Sequence, residues 1–279
     1  MQNFNDGAHA GHSSDDRLLR GEYKVEVSGF IGQAWELFKQ EPGKYIGFSF
    51  VLFVVYLIEQ VFGKLLDSGK FGGGYQDYSS GIFWGQLLIL LVISISISLL
   101  TIPLYAGANV VAFKQMSGQK AEFSNFFHGY RYMASLIASS LAQGFIMFVA
   151  IFVIALVSGG LVFGLGSAGH LSPSSDHPAL YILLIIPIFV VTIYIGVLYV
   201  FSQSLIIDRR LGFWQAMEMS RKVVQKQWFS VFGLVIVIGL LNVLGALALI
   251  VGLLVTLPVS YLTLAVAYRE IFGLQSSDW

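Results

Sequence analysis

Residues 207–228 read IDRRLGFWQAMEMSRKVVQKQW. This is the longest polar interval between apolar runs, and it carries five cations: Arg209, Arg210, Arg221, Lys222 and Lys226. Laid on a helix, Gln215, Glu218, Lys222 and Gln225 share one face at spacings of three and four, with Phe213, Met217, Val224 and Trp228 on the opposite side. Such a helix belongs at a boundary with water. The flanking segments are so apolar that the boundary reads as a membrane surface.

Composition points the same way. The chain has 279 residues, 56% of them hydrophobic and only 11% charged, and its mean hydropathy is +0.74. Soluble domains carry about 25% charged residues, so this is the composition of an integral membrane protein. Net charge is zero and the pI is about 7.0, which gives no reason to expect a nucleic-acid partner. Cysteine is absent, and its absence removes disulfides, thiol catalysis and cysteine-ligated metals together.

The expected fold is all-α: a polytopic membrane bundle of about six transmembrane helices with three interfacial amphipathic helices and a threefold internal repeat. Residues 1–27 read as a cytoplasmic tail, disordered up to about residue 22, without the basic start and apolar core of a cleaved signal peptide. Residues 28–279 then form one transmembrane domain. A first interfacial helix begins at Ser28, with Phe30, Ala34, Leu37 and Phe38 on one face, and Pro42 and Gly43 interrupt it. Apolar spans follow at about 45–66, 82–116, 133–165 and 179–207, and the run from Trp228 to Tyr268 is long enough for two more. Asn242 to Gly245 is the expected turn between those two, because Asn and Gly tolerate left-handed backbone.

Charge supplies an independent check. With six spans and both ends on one side, that side holds 14 of the 16 Lys and Arg, leaving Lys64 and Lys70 opposite. This is the positive-inside pattern and places both termini in the cytoplasm. A five-span or seven-span reading scatters the cations.

The repeat rests on two series. Thr101, Pro103, Ala112, Phe113, Lys114 and Gly118 match Thr256, Pro258, Ala267, Tyr268, Arg269 and Gly273 at one constant offset. Gln33, Ala34, Trp35 and Glu36 stand against Gln215, Ala216, Met217 and Glu218. Between these, Phe123, Phe126, Phe127 and Tyr130 form a third helical face, with Asn125, His128 and Arg131 turned away. Three units result, at 28–116, 121–207 and 211–273. Asp208 breaks the pattern, standing where Lys114 and Arg269 stand.

The loop LIIDRRLGFWQAMEMSRKVV at 205–224 and the ending TLPVSYLTLAVAYREIFG at 256–273 resemble bacterial families of uncharacterised integral membrane proteins. Those families are related to the membrane domain of glycerophosphoryl diester phosphodiesterases. The resemblance covers the carboxy-terminal third best and implies a multi-pass fold in the bacterial cytoplasmic (inner) membrane. In the phosphodiesterases that membrane domain is joined to a soluble catalytic barrel. The largest polar segment here is the first 44 residues, so no barrel is expected and no catalytic residue carries over.

Few residues announce chemistry. Glu59 is the only acid well inside an apolar span, a candidate for proton or cation handling, or else a group near the outer boundary within reach of water and Lys64. Ser94, Ser98, Gln143 and Asn242 suit hydrogen bonds between helices, and Gly160 with Gly164, or Gly245 with Gly252, suit close packing. His170, Asp176 and His177 share a loop, with spacing that matches no metal site. No catalytic residue, metal site or cofactor is expected. The five cations at 209–226 suit anionic lipid headgroups or plain anchoring. The expected role is therefore a non-enzymatic scaffold or accessory protein contacting lipid or a membrane partner, with a transporter or channel as the alternative.

Overall fold

Pro42 divides the first helical stretch in two, because a residue before proline is pushed out of the α region. Glu41 accordingly has φ −141° and ψ 56°, ending α1 (Val27–Gln40). Proline then opens α2 (Pro42–Asp67), where its missing N–H costs nothing. The computed structural model describes residues 17–67, 81–167, 178–248 and 251–276. Within them follow α3 (Gly81–Met116), a 3-10 segment (Phe123–Tyr132) running straight into α4 (Met133–Ser167), and α5 (Pro178–Leu198). Next come α6 (Ser202–Arg209), α7 (Phe213–Val224), a short 3-10 turn, α8 (Trp228–Leu247) and α9 (Leu253–Phe272).

Among the described residues, five helical segments are long and apolar enough to cross a membrane: Pro42–Lys64, Leu88–Met116, Phe123–Gly160, Ile185–Arg209 and Phe213–Leu247. Their apolar surface lacks protein cover. Leu141, Phe145, Leu156, Ile185, Phe189 and Leu244 are all exposed, an apolar surface far larger than a water-soluble monomer leaves open. This is the profile of an integral membrane protein.

The sixth expected span, α9, stands outside that set for a physical reason. It is the central helix: α1, α2, α3 and α8 all pack against it, and Val259, Leu262, Ala265, Val266 and Tyr268 are buried. Protein covers its Ser260 and Thr263, and these polar residues together with Thr256 and the end residues Arg269 and Glu270 lower its hydropathy.

Residues 123–132 do not form the interfacial α-helix that their phenylalanines imply. They wind as a 3-10 helix, three residues per turn, and lie lengthwise against α3. A Cβ added to Gly107 would sit 1.7 Å from the Phe126 carbonyl oxygen, and one added to Gly129 would sit 1.9 Å from that of Pro103. Backbone meets backbone here. The Tyr130 hydroxyl donates to the Leu100 carbonyl at 2.9 Å, and Phe126 is fully buried, stacked on Phe48 at 4.2 Å. Asn125, expected to face away, is buried and accepts the Glu122 N–H at 2.8 Å.

The last hairpin also differs. α8 runs through Asn242–Gly245 to Leu247, and the reversal comes between Leu247 and Leu253. Asn242 is used across the pair, donating to the Ser260 hydroxyl at 3.0 Å. Gly245 lets Thr256 approach, since a Cβ there would lie 2.3 Å from Thr256 Oγ1, and a Cβ on Gly252 would lie 2.4 Å from the Gly245 carbonyl oxygen. Those glycines serve close packing, as expected. Gly160 and Gly164 have nothing within 4 Å of an added Cβ.

Several related positions behave alike. Gly118 and Gly273 both follow a helix end with φ 71°, and Pro103 and Pro258 both lie inside helices. Phe113 and Tyr268, matched at the same offset, pack on each other at 5.4 Å. Glu36 with Lys39 and Glu218 with Arg221 form equivalent ion pairs, each 2.8 Å long.

Candidate functional site

The polar ends of α1, α3, α6, α7 and α9 converge at one end of the bundle, and a buried acid there, Asp208, joins α6 to α9. α6 is buried along Ser204 to Asp208. Asp208 is 2% exposed, so its charge must be met by donors. It accepts the Tyr268 hydroxyl at 2.9 Å and the backbone N–H groups of Gln275 and Ser276 at 3.1 and 3.0 Å. The carboxylate thereby ties α6 to α9 and to the segment beyond Gly273.

Its neighbours divide the labour. Arg209 donates to the Phe272 carbonyl at 2.9 Å, at the C-terminal end of α9 where cations are favoured, and lies 5.9 Å from the Phe272 ring. Arg210 takes a left-handed conformation, φ 51°, which turns the chain from α6 into α7 and leaves the residue exposed. Arg221 and Lys222 both reach Glu218, at 2.8 and 3.3 Å. These pairs are one-third to one-half exposed and contribute about 0.3–0.5 kcal/mol each. Lys226 is exposed beyond the end of α7. Of the five cations, Arg221 and Lys222 share Glu218, and Arg209 is bonded to the end of α9.

The segment 17–26, at the end of the expected loose tail, is a strap. Leu18 is buried in the common core. The Tyr23 hydroxyl donates to the Val223 carbonyl at 2.9 Å, and the Gln227 amide donates to the carbonyls of Gly21, at 2.7 Å, and Tyr23. Burial pushes the Tyr23 hydroxyl pKa up to about 12. Residues 1–16 lie outside the described residues.

α1 is held from two sides. Gln115, at the end of α3, donates to the Leu37 carbonyl at 2.8 Å and the Gln40 side chain at 3.0 Å, and accepts the Tyr45 hydroxyl at 2.6 Å. Arg269 donates to the Gln33 side chain at 2.6 Å. Neither Gln115 nor Gln227 stood out in the sequence. Asp208 did, as the acid that interrupts the repeat.

Deeper in the bundle, Glu59 is half-buried on α2, with the Ser94 hydroxyl 3.5 Å away. Ser98 bonds back to the Ser94 carbonyl of its own helix at 2.7 Å. Gln143 donates to the Ser139 and Ser202 hydroxyls, both at 3.0 Å, and so joins α4 to α6. Among the described residues no group of three His, Asp or Glu is placed to hold a metal. His170, Asp176 and His177 lie outside the described residues.

No protein-family model matches the sequence, and neither a curated protein nor a solved structure matches it.

Proposed function

We propose that this chain is a six-span protein of a bacterial inner membrane with both termini cytoplasmic, acting as a non-enzymatic scaffold or accessory protein that engages anionic lipid or a membrane partner. The observation that carries the reading is the segregation of charge. Strap, α1, α7 and the ends of α3 and α9 carry Arg17, Arg20, Lys24, Lys39, Lys114, Arg221, Lys222, Lys226 and Arg269, and hydrogen bonds between these elements support reading them as one polar layer. Lys64, at the far end of α2, lies away from it. That distribution at the rim of an exposed apolar surface suits a cytoplasmic leaflet rich in anionic headgroups.

Six spans rather than five follow from counting α9, whose 20 residues at 1.5 Å each reach about 30 Å, one hydrocarbon thickness. The equivalent glycines, prolines and ion pairs support a repeat with units at 28–116, 121–207 and 211–273. The resemblance to membrane domains related to glycerophosphoryl diester phosphodiesterases agrees with this topology.

Replacing Arg221, Lys222 and Lys226 together by Gln lowers the anionic phospholipid that co-purifies in mild detergent, measured by native mass spectrometry. Retention equal to wild type would sink the lipid-engaging role. A transport reading draws on one observation, the Glu59–Ser94 approach at 3.5 Å inside the bundle. Loss of proton-coupled flux in Glu59→Gln, with expression unchanged, would favour it instead.

A further inference from the structure

We infer that the amino-terminal strap and the end of α7 together form a binding corner for an anionic phospholipid headgroup, with cations supplied from both sides. This inference rests on the lipid-engaging role proposed above and adds to it a half that is remote in sequence. The strap crosses the 3-10 turn that follows α7 at Gly21, where a Cβ would sit 2.9 Å from the Cβ of Lys226. Gln227 and Val223 then pin Gly21 and Tyr23 in place. Arg20 and Lys24 flank that crossing on the strap, and Lys222 and Lys226 flank it on α7 and its 3-10 extension. All four side chains are exposed.

Charge at the corner is unbalanced. Glu22, Glu26 and Glu218 are the described acids of these two segments, against Arg17, Arg20, Lys24, Arg221, Lys222 and Lys226. Glu218 is already engaged by Arg221 and Lys222. Among the described residues, Arg20, Lys24 and Lys226 form no ion pair, so an external anion completes the arrangement. Its depth identifies the source of that anion. Phe229, three residues after Lys226 at the start of α8, is 82% exposed. Trp228 beside it stacks on Phe232 at 4.8 Å and packs against Tyr194 at 5.5 Å. Cations that precede an exposed Phe229 and a half-buried Trp228 in the chain suit the level of the headgroups, where Trp and Tyr gather. A lipid phosphate reaches this corner with its acyl chains beside Phe229.

The test compares full-length protein in nanodiscs of phosphatidylcholine containing a minor fraction of phosphatidylglycerol, scored by native mass spectrometry for phosphatidylglycerol retained per protein. Arg20→Gln with Lys24→Gln should lose on the order of tenfold in retention, and Lys222→Gln with Lys226→Gln a similar factor. Lys39→Gln with Lys120→Gln, at exposed cations elsewhere in the same layer, should stay near wild type. Loss in the α7 pair with wild-type retention in the strap pair overturns the two-sided corner while leaving the lipid role intact. Loss in neither pair overturns both. Equal loss in the Lys39 and Lys120 pair also overturns the corner, since the effect is then one of general charge. Displacement of the retained lipid by millimolar inorganic phosphate would contradict the lipid source. Circular dichroism and elution volume confirm that each variant is folded.

Discussion

Gly107→Ala is the most demanding single change. The added methyl would lie 1.7 Å from the Phe126 carbonyl oxygen, whereas ordinary contact begins at about 3.4 Å, so the 3-10 segment must retreat by roughly 1.7 Å. It has nowhere to go, because Phe126 is fully buried between Phe48, stacked at 4.2 Å, and Tyr45, edge-on at 5.8 Å. Overpacking costs about 1–3 kcal/mol, and partial ejection of the phenylalanine adds to it, so about 3 kcal/mol is expected. The control is Gly144→Ala in α4, where an added Cβ meets nothing within 4 Å. Helix propensity alone makes that change stabilising by about 0.8–1 kcal/mol. Thermal unfolding in detergent, followed by tryptophan fluorescence, should therefore move in opposite directions for the two variants. A Gly107→Ala protein as stable as wild type, or a Gly144→Ala protein falling as far, would refute the backbone contact.

Two further outcomes follow from the basic end. Asp208→Asn preserves size but removes the charge that meets Tyr268, Gln275 and Ser276. It should cost about 2 kcal/mol and raise amide exchange at 273–276 ahead of global unfolding; unchanged protection there would contradict the tie. The Tyr23 pKa, raised to about 12 by burial, predicts that the strap's contribution is complete below pH 10 and is lost as pH rises toward 12. Proteolysis of 17–26 should increase over that window in wild type. Tyr23→Phe cannot ionise and should show no such step, though its baseline protection falls with the lost hydrogen bond.

Helix positions were legible in the sequence because apolar length and proline placement are local. α1 ends before Pro42, and α3 and α4 end within a few residues of the expected bounds. Contacts between distant segments were legible only in part: Gln143 and the Gly245–Gly252 pair join helices as expected, but the local winding set by such contacts was not legible. Phe123, Phe126, Phe127 and Tyr130 fit an α-helical face, but the close approach of Gly107 and Gly129 selects a tighter helix. In the sequence Asn242 suits both a turn and a bond between helices, and only the second holds. At the candidate site, Arg209 bonds the end of α9 and the strap brings Gly21 to Lys226, contacts between segments far apart in sequence that no local pattern shows.

The absence of cysteine makes one measurement especially direct. Single cysteines at Lys39, Lys120, Lys226 and Lys64 can be introduced into the natural sequence and probed with a membrane-impermeant maleimide in sealed right-side-out spheroplasts. Lys64→Cys should be labelled from outside, and the other three only after the membrane is opened. Labelling of Lys39→Cys, Lys120→Cys or Lys226→Cys in sealed spheroplasts, or protection of Lys64→Cys together with them, would contradict a single cytoplasmic basic layer.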